Sequence, residues 1–222
     1  MEFQILPVLS PEEVECFLEE FSRATFVDGR LTAFGAAREV KQNLQAERSS
    51  AEWTALDEIL SSALRRNQEF QLFAHPKRVL APSYSRYEPG MQYGSHIDSA
   101  IMGGAHPLRT DLAMTVFLSA PDSYEGGELV IELSQGEQEV KLPAGEAVVY
   151  PASTLHRVAP VTRGVRQVAV TWIQCAVRDA SLRAILYDLG TATHHAEAAE
   201  DAAAVLLLSK CYHNLLRYAV DP

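Results

Sequence analysis

Residues 82–104 read PSYSRYEPGMQYGSHIDSAIMGG. The opening PSYSRYEP is a short strand pattern closed by Pro89 and Gly90, and a second extended run then carries His96 and Asp98 two positions apart. That spacing puts both side chains on one face of a strand. The paired glycines Gly103 and Gly104 end the run. Standing alone, such a pair is more often a surface histidine and a turn-forming aspartate. The surroundings change that reading. From about residue 72 to 177 the chain continues as short apolar runs, among them DLAMTVFLSA, GELVIEL, EQEVKLP, EAVVYPA, HRVAPV and RQVAVTWIQCAV. Turn-forming Gly, Pro, Asp and Ser separate them at the short intervals expected of a barrel or sandwich.

A further histidine, His156, lies in the strand-like PASTLHRVAP, and a sheet closed on itself would bring it opposite His96. Two imidazoles and one carboxylate on one side of a metal make the facial triad of non-haem Fe(II) oxygenases, which leaves positions free for cosubstrate and oxygen. Arg166 then opens RQVAVTWIQ inside an apolar region. A buried guanidinium needs an anion, either a carboxylate of the protein or one of a ligand, and the distal carboxylate of 2-oxoglutarate is a fitting example of the second. Arg163, in the turn Thr162-Arg163-Gly164, is expected to be solvated.

The flanks have a different texture. Residues 1–70 read as helical, with Ser10 and Pro11 as N-cap and first helical residue, and with Trp53, Leu56, Ile59, Leu60 and Leu64 at helical spacing in SSAEWTALDEILSSALRRNQEF. Helical spacing returns at Leu182, Ile185, Leu186 and Leu189 and runs into AVLLLSKCYHNLLRYAV. This tail is expected to pack on the core or on a second copy of the chain, giving a homodimer. With 222 residues, 47% hydrophobic and 22% charged, the chain has the composition of a globular protein. A formal charge of −10 and no basic stripe argue against nucleic acid. The start has no basic segment before an apolar run, so neither signal peptide nor membrane span is expected. Three widely spaced cysteines, Cys16, Cys175 and Cys211, point to reduced thiols and a cytoplasmic setting.

Together HIDSA, YEGGEL and LHRVAPVTRGVRQVAVTWIQ resemble the PKHD-type hydroxylases, members of the prolyl 4-hydroxylase-like Fe(II)/2-oxoglutarate dioxygenases. The resemblance covers roughly residues 78–178 and extends to the helical tail. It implies an α+β fold: N-terminal helices over residues 1–70, a double-stranded β-helix (jelly roll) over 71–178, and a C-terminal helical extension over 179–222. It also implies that His96, Asp98 and His156 ligate Fe(II) and that Arg166 anchors 2-oxoglutarate. Tyr87 matches a tyrosine that binds the cosubstrate in related prolyl hydroxylases, whereas Phe117 stands where some relatives have another tyrosine. Tyr93, Thr115, Phe117, Leu129 and Trp172 are expected around the pocket. Ascorbate as a supporting reductant, and a link to iron homeostasis, follow from the resemblance alone.

The remaining candidates have plainer readings. His75, His106, His213 and the pair His194-His195 are expected at the surface or in packing, Asp111 at a turn, and Glu12, Glu13, Glu15, Glu19 and Glu20 on a solvated helix face. A redox-silent cupin-type metalloenzyme and a non-catalytic iron-responsive binding protein are the two alternatives to an oxygenase. The substrate, peptidyl or small-molecule, is not encoded in any motif.

Overall fold

A computed structural model describes residues 3–33, 35–47 and 51–220 of the chain. Strand β1 (Gln4–Pro7) leads into helix α1 (Pro11–Arg23), β2 (Phe26–Asp28), the short α2 (Gly35–Glu39), β3 (Lys41–Gln42), β4 (Leu44–Ala46), α3 (Ala51–Arg66) and α4 (Gln68–Ala74). The strand-rich middle holds β5 (Pro76–Val79), β6 (Ser83–Tyr87), β7 (Gln92–His96), β8 (Ile101–Met102), β9 (Leu108–Arg109) and β10 (Leu112–Phe117). It continues through β11 (Glu125–Gly126), β12 (Leu129–Leu133), β13 (Gly136–Val140), β14 (Glu146–Pro151), β15 (His156–Val158), β16 (Val161–Arg163) and β17 (Arg166–Cys175). Helices α5 (Ala180–Ala198) and α6 (Ala202–Ala219) close the chain.

Two antiparallel sheets dominate. The larger runs β1-β14-β10-β17-β6-β4-β2, with β5 also on β17, and the smaller runs β13-β12-β15-β7-β3. Neither closes on itself. One face of the large sheet is covered by α1, α3 and α4 through Phe17, Phe21, Trp53, Leu60 and Phe70, which pack with Met114, Val116 and Ala169 of the sheet. Its other face meets the small sheet, where Tyr87, Phe117 and Val168 pack with Leu129, Ile131 and Val158. Strand β10 is therefore buried on both faces. That explains why LAMTVF is a continuous apolar run rather than an alternating one.

Helix α1 begins as its sequence predicts. Ser10 Oγ accepts the Glu13 N–H at 3.2 Å, and the Glu13 carboxylate accepts the Ser10 N–H at 2.9 Å, a reciprocal capping box with Pro11 in the first turn. Val14, Phe17 and Phe21 form its buried face. The expected α3 stripe is present from Trp53 to Leu64, while Ser49 and Ser50, its expected start, lie outside the described residues.

Two expectations need correction. Residues 1–70 are not purely helical, because β1, β2 and β4 extend the large sheet and β3 edges the small one. Strands of two to four residues are too short to leave a period-two signature. Nor does a closed sheet carry His156 across to His96. The two are direct cross-strand partners on β15 and β7 of one open sheet.

The tail packs through α5 on α4. Phe73 and Tyr187 meet edge to face at 5.9 Å, and Gly190 lets the helices approach so closely that a Cβ there would lie 2.4 Å from Leu72. Helix α6 packs on α5 but has no fully buried residue, with Leu206 and Leu207 exposed. No helix of the described residues is long and apolar enough to cross a membrane.

Candidate metal centre

Strand β7 ends on His96 and β15 begins on His156, so register brings the two histidines together, and the loop after β7 places Asp98 beside them. Both imidazoles are buried, and the two rings lie 4.3 Å apart between centroids. Each Nε2 lies 4.0 Å from Asp98 Oδ1. The opposite nitrogens are already committed: His96 Nδ1 donates to the Gly94 carbonyl at 2.8 Å, and His156 Nδ1 to the Thr154 carbonyl at 3.0 Å. A proton held on Nδ1 leaves the Nε2 lone pair free to bind a metal. Asp98 is arranged in the same way. Its Oδ2 accepts the Trp172 indole N–H at 2.8 Å, and Oδ1 faces the histidines.

The electrostatics fit a cation. Burial and the neighbouring His156 push the His96 pKa down to about 4, so its ring is neutral at physiological pH. Burial pushes the Asp98 carboxyl up. Two lone pairs and a carboxylate therefore converge in a site where His156, the Trp172 N–H and the charge of Lys41 favour ionised Asp98 against its burial. A divalent ion would supply what this cluster lacks. Among the described residues, His96, Asp98 and His156 are the group of three or more metal-ligating side chains whose ligand atoms lie within 4.8 Å of one another.

Arg166, at the start of β17, pairs in register with Tyr87 of β6 and is 1% exposed. Its guanidinium carbon lies 5.0 Å from the Tyr87 ring centre and 5.4 Å from that of Phe117. Its Nε is buried without a hydrogen-bond partner, and among the described residues no carboxylate forms an ion pair with it. Arg163 is the opposite case, exposed and bonded to Glu125 at 2.9 Å.

His96, Asp98, His156 and Arg166 all line one cavity of about 910 Å³. Of the residues named from the sequence, Tyr87, Tyr93, Thr115, Leu129 and Trp172 line it too. Phe117 does not. It lies behind the cavity wall, packed in the inter-sheet core with its ring toward Arg166. Tyr93 stacks on His96 with ring centres 3.6 Å apart and fixes that ring's plane. Asp111 is structural, taking two hydrogen bonds from Arg109 and one from the Cys175 N–H. His75 is the left-handed C-cap of α4, and His194, His195 and His213 lie on α5 and α6.

Sequence reasoning missed Tyr150, which is buried, lines the cavity and sets its ring edge-on to His156 at 5.2 Å. It also missed Lys41 and Asn43 on the cavity's N-terminal wall. Tyr150 had a signal in the apolar run AVVYP of its strand, but Lys41 and Asn43 lay in a stretch read as helical.

Comparison with known proteins agrees with this geometry. Residues 82–174 match the 2OG-Fe(II) oxygenase superfamily, and residues 180–221 match the PKHD-type hydroxylase C-terminal domain. The chain is 47% identical over 211 residues to a PKHD-type hydroxylase of Rippkaea orientalis, covering 95% of each. It is 49% identical over 212 residues to one from a Synechococcus strain, again covering 95% of each. Among solved structures it resembles a viral collagen prolyl hydroxylase from Paramecium Bursaria Chlorella virus-1 in complex with 2-oxoglutarate. That likeness has a TM-score of 0.55 at 18% identity and covers 79% of this chain and 97% of the other, which is a likeness of fold.

Proposed function

Since the chain belongs to the PKHD-type hydroxylases of the 2OG-Fe(II) oxygenase superfamily, we propose that His96, Asp98 and His156 hold its Fe(II) and that Arg166 binds the distal carboxylate of 2-oxoglutarate. The observation that carries the assignment is a fully buried guanidinium with no protein carboxylate, in the cavity that also holds the triad. A buried charge is retained only against a partner. When bound, iron and cosubstrate supply the oxidative chemistry: 2-oxoglutarate and oxygen become succinate and carbon dioxide as a substrate C–H bond is hydroxylated.

The chain's own residues then have definite tasks. The Gly94 and Thr154 carbonyls keep both imidazoles in the ligating tautomer, and Trp172 aims one oxygen of Asp98 at the metal position. Arg166 orients the cosubstrate, with Tyr87 over its guanidinium. Leu129, Tyr150 and Val158 provide a buried wall that limits water.

Two open antiparallel sheets packed face to face, with the site between them, support a double-stranded β-helix as the core. The exposed Leu206 and Leu207 of α6 support a homodimer through the tail. Three unpaired cysteines and the lack of a membrane-length helix among the described residues support a cytoplasmic enzyme. Ascorbate serves as the supporting reductant, and the substrate is a peptidyl group or a small molecule.

Protein loaded anaerobically with Fe(II) and 2-oxoglutarate should release succinate on admission of oxygen, and zinc-loaded protein should release none. Substrate conversion by zinc-loaded, iron-free protein would transfer the chain to redox-silent metalloenzymes. Iron binding without any succinate would make it an iron-responsive binding protein.

A further inference from the structure

The cavity continues past the triad to a wall built by residues of the N-terminal segment, among them Thr32, Lys41, Asn43 and Gln45. Lys41, Asn43 and Gln45 are alternate residues of one extended stretch, so all three project to the same side. All three are buried, while Gln42 between them is exposed. The pattern is inverted: a stretch that passes from the edge of the small sheet into the large one turns its polar side chains inward.

Each of the three has a different degree of satisfaction. Gln45 is fully engaged, donating to Ser83 at 2.7 Å and accepting from Thr32. Lys41, 6% exposed, donates to Thr32 Oγ1 at 3.1 Å and lies 5.3 Å from the centre of the Tyr93 ring. An ammonium carries three donors, and lysine is almost never buried unpaired. Among the described residues no carboxylate lies within ion-pair distance of Lys41, although Asp98 and, more weakly, Asp28 act on its charge from further off. Asn43 is 4% exposed, with its amide oxygen packed against Gly29 and its side chain beside the Tyr87 hydroxyl, so it belongs to the wall itself.

We propose that Lys41 is the recognition subsite for the molecule to be hydroxylated, and that this molecule carries a carboxylate. The ammonium faces the carboxylate. Arg166 already meets the anionic end of 2-oxoglutarate, so the second unpaired cation in the same cavity calls for a second anion. This inference rests on the assignment of the cavity to an iron and 2-oxoglutarate enzyme. The depressed Lys41 pKa, about 8 through burial, agrees with a charge waiting for its counterion.

The test uses full-length protein loaded with Ni(II), which supports binding without turnover, and saturated with 2-oxoglutarate. Benzoate and its neutral isostere benzamide are titrated by calorimetry. Benzoate should bind about tenfold or more tightly than benzamide, as expected of a charge-assisted contact. With nickel kept saturating, Lys41→Met should abolish the preference and Lys41→Arg should keep part of it, with 2-oxoglutarate affinity unchanged in both. That affinity also reports that each variant is folded. Equal binding of the two probes, binding of neither, or a preference that survives Lys41→Met would overturn the proposal. So would a lost 2-oxoglutarate affinity in Lys41→Met, which would assign the lysine to the cosubstrate. Failure of wild-type protein to bind 2-oxoglutarate at all is read separately in the same titration, and it would overturn the functional assignment and this subsite with it.

Discussion

Arg166 and Arg163 stand three positions apart and differ in everything that matters to a ligand. Arg163 is exposed and paired with Glu125, whereas Arg166 is buried with its Nε unsatisfied. Lysine at 166 keeps the charge and loses the planar fork. Arg166→Lys should therefore raise the 2-oxoglutarate requirement for succinate formation by a factor of about ten to a thousand, in line with a weakened buried charged pair. Metal affinity should hardly change, and Arg163→Ala should leave both alone; an effect at 163 with none at 166 would place the anchor wrongly. Trp172→Phe removes the hydrogen bond that aims Asp98. It should lower Fe(II) affinity by about 10- to 100-fold, measured by competition with a chelator. At this scale the sequence is legible where chemistry demands a spacing. His96 and Asp98 stand two apart, and Arg166 heads an apolar strand. It is silent at Asn43 and Lys41, whose meaning depends on which side of an irregular stretch faces inward, a fact set by pairing with β7 and β6.

Elements differ in legibility for a related reason. Helix α1 announces itself through a capping box and a three-residue buried stripe, both local in sequence. Removing the cap should have a local cost as well. Ser10→Ala should destabilise the protein by about 1 kcal/mol in a denaturant titration. It should leave 2-oxoglutarate and metal binding intact, because α1 covers the face of the large sheet remote from the site. Loss of cosubstrate affinity in that variant would mean the two faces are coupled. Long strands such as β10 and β17 are readable from runs of six and ten residues. The short β1 to β4 are not, since they are held by long-range pairing, β1 to β14 and β4 to β6, rather than by any pattern of their own.

For the molecule as a whole, the composition and the strand-rich middle indicate the fold class, but the sequence does not reveal that the N-terminal segment supplies one wall of the cavity. That wall carries an energetic cost that can be measured. Lys41 has an ordinary unfolded pKa near 10.5 and a folded value of about 8, because burial disfavours its charge. Below pH 8 it is protonated in both states and the folded protein bears the full penalty. Between pH 8 and 10.5 the unfolded chain binds more protons than the folded one, so this residue's contribution to stability rises with pH and is complete above 10.5. The size of the effect is on the order of 3 kcal/mol. Tyrosines also titrate in this range, so the informative quantity is the difference between wild type and Lys41→Met. The variant should be the more stable at neutral pH, and its advantage should shrink steadily from pH 8 and vanish near 10.5. Urea titrations of the metal-free protein across that range supply the measurement. An advantage that stays constant with pH would show that Lys41 keeps its proton at little cost, and that its burial in the cavity wall is balanced by the Thr32 and Tyr93 contacts alone.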